Sequence, residues 1–419
     1  MDERRKKLLF IFLFILAVVG IATVLYLLFF RAITPNTPQT GMRPGSPNSL
    51  PRAATGTPST ISGQGGILLP SQPNTQAVDI GEVPTLPDGT LLPDQARTSV
   101  IAQNVRLPVS FDKSGNGDVR YYDANDGKFY SVNDNGTKTP LSETVFPNVS
   151  NITWGNKTEK AIIGFPDGSQ VIYDFDRDKQ TTIPRYWQDL QFSPEDTQIA
   201  AKSVGSNPTN RFLITANSDG SNPQPIEEMG NNQDKVMVNW SPNDQTIAFS
   251  RTGEPLGADR EQILLVGKHH ENFKGLVVEG RGFIPNWSPD GSQLIYSVWS
   301  GDTGYVPTLW ISGAEGDQIN SNRRRLSIGT WADKCTWANN TTVICGVPKN
   351  LPAGAGLQRS LFDVGPDTLY KLDLANGQIS PLGDPSPNAI VKSVSISPDG
   401  KTAIVLDGRS DQVIKMQLY

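Results

Sequence analysis

Histidine and cysteine are scarce in this sequence, with two of each among 419 residues. Protein metal centres and most acid–base catalytic sites need clusters of imidazole, thiolate or carboxylate groups. The scarcity argues against a metal site and against a histidine-based active site, and we expect no cofactor. The sequence also lacks the G-x-S-x-G elbow that carries the nucleophile of many hydrolases.

A basic excess is missing as well. The formal net charge is −5, whereas a nucleic-acid footprint needs a strongly basic face. We therefore expect no nucleic-acid partner. Apolar residues make up 37% of the chain and aromatic residues 8%, which suits a β-rich body joined to a polar, poorly ordered part.

Long hydrophobic runs are absent except at the N-terminus, where residues 8–30 contain no charge. As a helix this segment spans roughly 35 Å, enough to cross a bilayer core. It is longer than the apolar region of a cleaved signal peptide, and no good cleavage site follows it, so we expect an uncleaved signal anchor. Four basic residues precede the span within the tail 1–7, and only Arg31 follows closely. The positive-inside bias then leaves the tail in the cytoplasm and exports the rest, to the periplasm or the cell surface.

Residues 31–95 are rich in Pro, Ser, Thr and Gly and poor in large apolar side chains. Such a segment buries too little surface to offset its chain entropy. We expect a disordered linker between the membrane span and the domain 96–419.

The domain 96–419 is built from repeats. NWSPDGSQLIYS (286–297) has close copies in NWSPNDQTIAFS (239–250), QFSPEDTQIAAK (191–202) and SISPDGKTAIVL (395–406), and worn copies elsewhere. In Ser-Pro-Asp-Gly, Pro and Asp suit the central positions of a turn and Gly takes the awkward backbone at its end. One bulky marker precedes each turn: Phe111, Trp154, Phe192, Trp240, Trp287, Trp337 and Ile396.

Each unit reads as four short strands, one ending at the marker and three after it. Four-stranded units repeating every 40–60 residues or so are typical of a β-propeller. The fold class predicted is all-β, a seven-bladed propeller, with six or eight blades as alternatives. The last unit ends after its third strand, so we predict that RTSVIAQN (97–104) supplies the missing outer strand and closes the ring.

The repeated [Trp/Phe]-Ser-Pro-Asp-Gly signature resembles that of the TolB-type propeller family, over roughly residues 97–419. The resemblance implies the fold and is nearly silent on function. TolB itself is soluble and has an extra N-terminal domain. This chain has an apolar segment and a linker instead, so the partners of TolB are not carried over.

Two polar clusters have simple structural interpretations. His269 and His270 are adjacent in a turn, and neighbouring side chains point apart, so we expect a solvated turn. Asp174, Asp176 and Asp178 resemble the start of a calcium loop but lack its later Gly and Glu, so a plain turn is favoured over a weak cation site.

Cys335 and Cys345 flank the turn ANNTT, which would place them opposite each other on a hairpin. A disulfide suits an exported protein, and two buried thiols are the alternative. The basic run Arg323, Arg324 and Arg325 is interpreted as a solvated strand edge, with an anionic partner surface as the alternative.

The loops between the second and third strands are short in units one, two and seven and long in units three to six. Long loops on a rigid scaffold are where binding residues collect. Five residues on them are of types enriched at interfaces. These candidate binding residues are Arg260, Trp299, Tyr305, Arg359 and Phe362. The alternative is that these loops simply pack on one another.

Two functions follow as hypotheses. The first is a non-catalytic, membrane-tethered scaffold of the cell envelope that binds a protein partner or an envelope polymer. The second is a hydrolase or lyase that uses carboxylates at the propeller mouth on a glycan or peptide. Two carboxyls close together in a concave mouth, one with a raised pKa, would favour the enzyme.

Overall fold

The computed structural model describes residues 98–112, 117–133, 135–271 and 273–418. The predicted cytoplasmic tail (1–7), membrane span (8–30) and linker (31–95) lie outside these residues. Within the part that is described, no helix combines the length and the apolar character needed to cross a bilayer.

The described chain forms seven four-stranded antiparallel sheets, which are the blades of a propeller. The first strand is β1 (Thr98–Gln103). Blade one consists of β2 (Ser110–Phe111), β3 (Val119–Asp123), β4 (Lys128–Val132) and β5 (Lys138–Pro140). Blade two consists of β6 (Asn151–Trp154), β7 (Lys160–Gly164), β8 (Gln170–Asp174) and β9 (Lys179–Ile183). Blade three consists of β10 (Trp187–Phe192), β11 (Gln198–Val204), β12 (Arg211–Asn217) and β13 (Gln224–Glu228).

Blade four consists of β14 (Val236–Val238), β15 (Thr246–Ser250), β16 (Glu261–Gly267) and β17 (Leu276–Val278). Blade five consists of β18 (Arg281–Trp287), β19 (Gln293–Trp299), β20 (Thr308–Gly313) and β21 (Arg324–Gly329). Blade six consists of β22 (Cys335–Asn339), β23 (Thr342–Pro348), β24 (Asp367–Asp373) and β25 (Ile379–Gly383). Blade seven consists of β26 (Val391–Ile396), β27 (Thr402–Asp407), β28 (Gln412–Gln417) and β1.

The helices among the described residues are short. One α-helical turn, α1 (Arg359–Phe362), lies between β23 and β24. The single 3₁₀ turns are Pro208–Asn210, Gly230–Lys235, Gly301–Thr303, Gly316–Gln318 and Ala332–Lys334.

The ring is closed by the first and last strands of the domain. β1 pairs antiparallel with β28, with Thr98 opposite Met416 and Gln103 opposite Gln412. The prediction that the segment 97–104 supplies the outer strand of the last blade is confirmed, as are seven blades of four strands. Closure leaves blade seven with the same strand count as its neighbours.

The core consists of seven apolar clusters, and each cluster joins two neighbouring blades. The strand faces alternate, so each blade buries both sides against its neighbours. All seven repeat markers contribute to this interior. Trp154, Phe192, Trp240 and Trp337 are buried, and Phe111, Trp287 and Ile396 are partly buried.

The Ser-Pro-Asp-Gly turn is held by its own side chains. The Ser288 hydroxyl donates to Asp290 Oδ1 at 2.6 Å and accepts the Gln293 N–H at 2.9 Å. Gly291 has a φ of 73°, a left-handed conformation that a side chain would strain. Blade seven repeats the arrangement with Ser397 and Asp399.

The worn turn of blade two is completed by a residue of blade three. Asp196 stands where the turns of blades five and seven have Gly, and it is almost fully buried. Its carboxylate accepts the N–H groups of Asn156, Lys157 and Thr158 at 2.7, 2.6 and 2.8 Å. These hydrogen bonds take the place of the bonds that Ser and Asp side chains make within the intact turns, and they connect the two blades.

Candidate binding face

The loops between second and third strands lie on one face of the propeller, which we call the long-loop face. The opposite face carries the Ser-Pro-Asp-Gly turns and is called the turn face. β1 begins with Thr98 beside Met416, at the end of β28 remote from the loop 408–411. Thr98, the first described residue, therefore lies at the turn face, opposite the long loops.

The long loops of blades four, five and six are hydrogen-bonded to one another. The Gly301 N–H donates to Asp259 Oδ1 at 3.3 Å, which links blade five to blade four. The Gly354 and Gly356 N–H groups donate to the carbonyls of Gly304 and Tyr305 at 2.8 and 2.7 Å, which links blade six to blade five. The three loops therefore form one continuous surface, and the alternative that long loops pack on one another is partly correct.

Trp299 and Tyr305 lie together on this surface but in different environments. Their ring centroids are 6.1 Å apart. Trp299 is partly buried against glycines: a Cβ at Gly282 would lie 2.4 Å from the indole Nε1, and one at Gly356 would lie 2.5 Å from the ring. Trp299 thus supports the loops, whereas Tyr305 is 43% exposed.

Arg260 and Arg359 are engaged in ion pairs. Arg260 Nε lies 2.7 Å from Glu279 Oε2. Arg359 lies 2.6 Å from Asp333 Oδ2 and 3.1 Å from Asp363 Oδ2, and its guanidinium stacks 4.7 Å from the Trp331 ring centroid. Both arginines therefore hold loops in place through these ion pairs. Their assignment as binding residues stays a prediction.

A buried charged cluster anchors the loop 349–366. Lys334 is fully buried, and its Nζ lies 2.6 Å from Asp363 Oδ1 and 2.8 Å from both carboxylate oxygens of Asp367. Asp367 also accepts the Val391 N–H at 2.6 Å. Burial raises the pKa of Asp367 in spite of Lys334. Burial opposes ionisation of Asp363 too, but Lys334 and Arg359 outweigh it and hold the pKa of that carboxyl below its usual range.

This pair is the arrangement that would favour an enzyme, since two carboxyls lie close together and one has a raised pKa. Both side chains are buried, however, and both bind the same ammonium group. A general acid or nucleophile must reach its substrate. In the described geometry Asp363 and Asp367 are closed off and serve to fix the loop.

The structure adds apolar residues that the sequence reasoning missed. Eight large apolar side chains are exposed among the described residues, and five of them lie on the loops of blades four to six. These five are Leu256, Tyr305, Leu357, Leu361 and Val364. Leu357, Leu361 and Val364 follow helical spacing around α1, while Phe362 is partly buried. That spacing was a usable signal.

The remaining sequence candidates have structural roles. Cys335 and Cys345 are directly opposite in the β22–β23 ladder and are joined by a disulfide. Arg323 is partly buried, and its guanidinium donates to the Val277 carbonyl and pairs with Glu279 at 2.7 Å. Arg323 therefore joins blades four and five, which corrects its interpretation as a solvated edge, while Arg325 is exposed.

The two polar turns do not form a metal site among the described residues. His269 and His270 are exposed, with His270 Nδ1 3.6 Å from Glu227. Asp174 pairs with Arg177, and Asp178 accepts hydrogen bonds from Tyr173 and Ser142. These side chains are used within their own blade or between neighbouring blades.

Comparisons with known proteins show the fold. No family model matches the chain, and no curated protein is significantly similar to it. An oligogalacturonate lyase in complex with manganese is 13% identical over 77% of this chain and 93% of that chain, with a TM-score of 0.55. An oligogalacturonate lyase from Vibrio parahaemolyticus is 12% identical over 77% and 93%, with a TM-score of 0.53.

The β-propeller domain of Cps50 (Swd1) from Myceliophteria thermophila is 11% identical over 77% of this chain and 99% of that chain, with a TM-score of 0.51. The set thus includes enzymes and a propeller domain of another kind. At these identities the similarity shows the propeller fold alone.

Proposed function

We propose that this chain is a membrane-tethered, extracytoplasmic binding scaffold of the cell envelope that holds a protein partner on its long-loop face. The observation that carries the proposal is the group of exposed apolar side chains on three consecutive, mutually bonded loops. Contiguous apolar patches on a soluble surface mark interaction sites. Rigid anchoring lowers the entropy lost on binding, and the loops are anchored by the Lys334 cluster and by backbone bonds.

The membrane tether rests on the sequence, on the apolar segment 8–30 and the basic residues before it. The position of Thr98 makes this tether compatible with binding. Thr98 lies at the turn face, so a tether that begins there leaves the long-loop face accessible to a partner.

The hydrolase or lyase hypothesis has less support. It needs carboxyls that contact a substrate, and the carboxyl pair nearest to the long loops is buried under Lys334. A protein partner is also favoured over an envelope polymer, because the exposed side chains at 357, 361 and 364 are aliphatic. Aliphatic clusters pack against apolar side chains and offer no hydrogen bonds to a sugar.

The test is chemical crosslinking in intact cells followed by capture of the full-length protein. The variant Tyr305→Ser/Leu357→Ser/Leu361→Ser removes exposed apolar surface without touching an ion pair. We expect it to lose at least one captured partner that the wild type retains. The matched control is Val100→Thr, which removes an exposed apolar side chain on the outer strand β1, outside the three loops. An unchanged set of partners for the first variant, or an equal loss for the control, would refute the proposal.

A further inference from the structure

A groove lies between blades three and four, lined mainly by residues of β12 to β16 and of the segments that follow β13 and β16, with Thr252 at the start of the long loop of blade four. Its cavity volume is about 310 Å³. Apolar side chains form much of its lining, among them Leu213, Met229 and Phe273. The outermost strand of blade four, β17, is short, with three residues.

The short strand leaves part of its neighbour without a partner. β17 pairs with β16 only at Glu261, Gln262 and Ile263. β16 continues to Gly267, so the outer edge at residues 264–267 has no strand partner within the described residues. An open strand edge offers N–H and C=O groups to an incoming strand.

This open edge faces the groove. Leu264, Leu265 and Val266 all line it. Side chains of consecutive strand residues point to opposite faces, so the feature shared by the three is the backbone edge itself. The Gln262 N–H is directed to the Glu254 carbonyl on the inner side, at 3.4 Å. The alternation of the ladder then turns the N–H and C=O of Leu265 outward, towards the groove.

The polar part of the lining carries one sign of charge. It contains the carboxylates of Glu227, Glu228 and Glu271 and no Lys or Arg. Lys268, on the loop that follows β16, pairs with Asp244 instead. Glu227 Oε1 lies 3.6 Å from Nδ1 of the exposed His270, and Glu271 accepts the His269 N–H at 2.9 Å. A cationic ligand would be attracted to this rim.

We propose that this groove binds an extended peptide segment with apolar and basic side chains, which adds as a strand to the outer edge of β16. Backbone bonds to residues 264–267 supply the affinity, while the apolar lining and the acidic rim select the side chains. Four strand residues span about 13 Å, so about four residues of a partner segment fill the edge, and a hexapeptide covers it with about one residue to spare at each end. The groove contains none of the exposed apolar side chains proposed for the long-loop face, so this proposal does not depend on them.

The probe for the test is a fluorescein-labelled hexapeptide that alternates Val and Lys, measured by fluorescence anisotropy with the full-length protein in detergent. We expect saturable binding of this peptide. The matched peptide that alternates Val and Glu should bind at least about tenfold more weakly, because its charges have the same sign as the acidic rim. The variant Glu227→Lys/Glu228→Lys changes two exposed side chains and should weaken binding of the Lys peptide about as much. The control Asp302→Lys/Asp317→Lys makes the same change of net charge elsewhere and should bind like the wild type.

Strand addition is tested by N-methylation of alternate residues of the peptide. Methyl groups on the residues that face β16 should abolish binding, and methyl groups on the other set should be tolerated. Two methylated peptides that bind like the parent would overturn strand addition. Equal binding by the Lys and Glu peptides, or equal loss in the charge variant and its control, would overturn the site. The Leu357→Ser/Leu361→Ser variant should retain binding, which separates a failure here from a failure of the long-loop face.

Discussion

Lys334 offers the sharpest test of how the candidate binding loop is held. Its Nζ contacts two carboxylates, Asp363 and Asp367, and all three side chains are buried. Lys334→Met keeps the length of the side chain and removes its charge. Removing one partner of a buried ion pair costs about 3–5 kcal/mol, because the remaining charge stays buried without compensation. Asp363 keeps Arg359 and Asp367 keeps the Val391 N–H, so we expect about 4 kcal/mol near neutral pH.

The loss should depend on pH in a defined direction. The pKa of Asp367 is already raised by burial, and removal of Lys334 raises it further. The same change raises the pKa of Asp363 from its lowered value, because Lys334 is the largest of the groups that lower it. A carboxyl with a raised pKa in the fold contributes stability at low pH, and that stability is lost as the pH rises through the folded pKa. The deficit of Lys334→Met should therefore be largest near neutral pH and shrink as the pH falls towards the acidic range.

Urea unfolding followed by tryptophan fluorescence, at neutral and mildly acidic pH, measures both effects. The matched control is Lys349→Met on the same loop, whose ammonium pairs with Asp384 and whose side chain is 43% exposed. A surface pair of this kind contributes at most about 1 kcal/mol. A deficit below about 1 kcal/mol for Lys334→Met, or one that is equal at both pH values, would refute the role assigned to the buried cluster.

Two further stability predictions follow from the fold. Cys335→Ser/Cys345→Ser removes a crosslink over a sequence separation of 10 residues and should lower the free energy of unfolding by about 2.7 kcal/mol in the chain-entropy model; an unchanged urea midpoint would contradict the bond. Asp196→Ala leaves three part-buried N–H groups of blade two without their carboxylate acceptor and should cost roughly 3 kcal/mol, at the upper end for lost bonds to a charged group. Asp219→Ala, in an exposed turn, is its control and should cost less than about 1 kcal/mol by the same denaturation assay.

Much of the fold was predictable because each repeat contains residues that favour the same tight turn. Ser-Pro-Asp-Gly fixes a tight turn through local bonds, so each copy marks the same place in its blade. The closing strand was predictable because an unpaired edge must be covered. The turn inference depends only on residues adjacent in sequence, whereas the closing strand joins the two ends of the domain and was inferred from the number of strands in the last unit.

The anchoring of the loops was not predictable in this way. Lys334 and Asp367 are 33 residues apart, and nothing local indicates that the two are buried together. Asp196 completes a turn in another blade, which the sequence of either turn alone does not reveal. Arg260 and Arg359 were correctly placed on loops, but their ion pairs come from tertiary contacts. Leu357 and Leu361 follow helical spacing, but that spacing alone does not show that both side chains are exposed.

A crosslinking map tests the proposed long-loop face most directly. A photo-crosslinking amino acid is placed at position 305, 357 or 361 on the long-loop face and, as controls, at position 177 or 219 on the turn face, in the full-length protein in intact cells. The account predicts ultraviolet-dependent protein adducts from the first three positions, and weaker or different adducts from the two controls. Adducts confined to positions 177 and 219 would contradict the account.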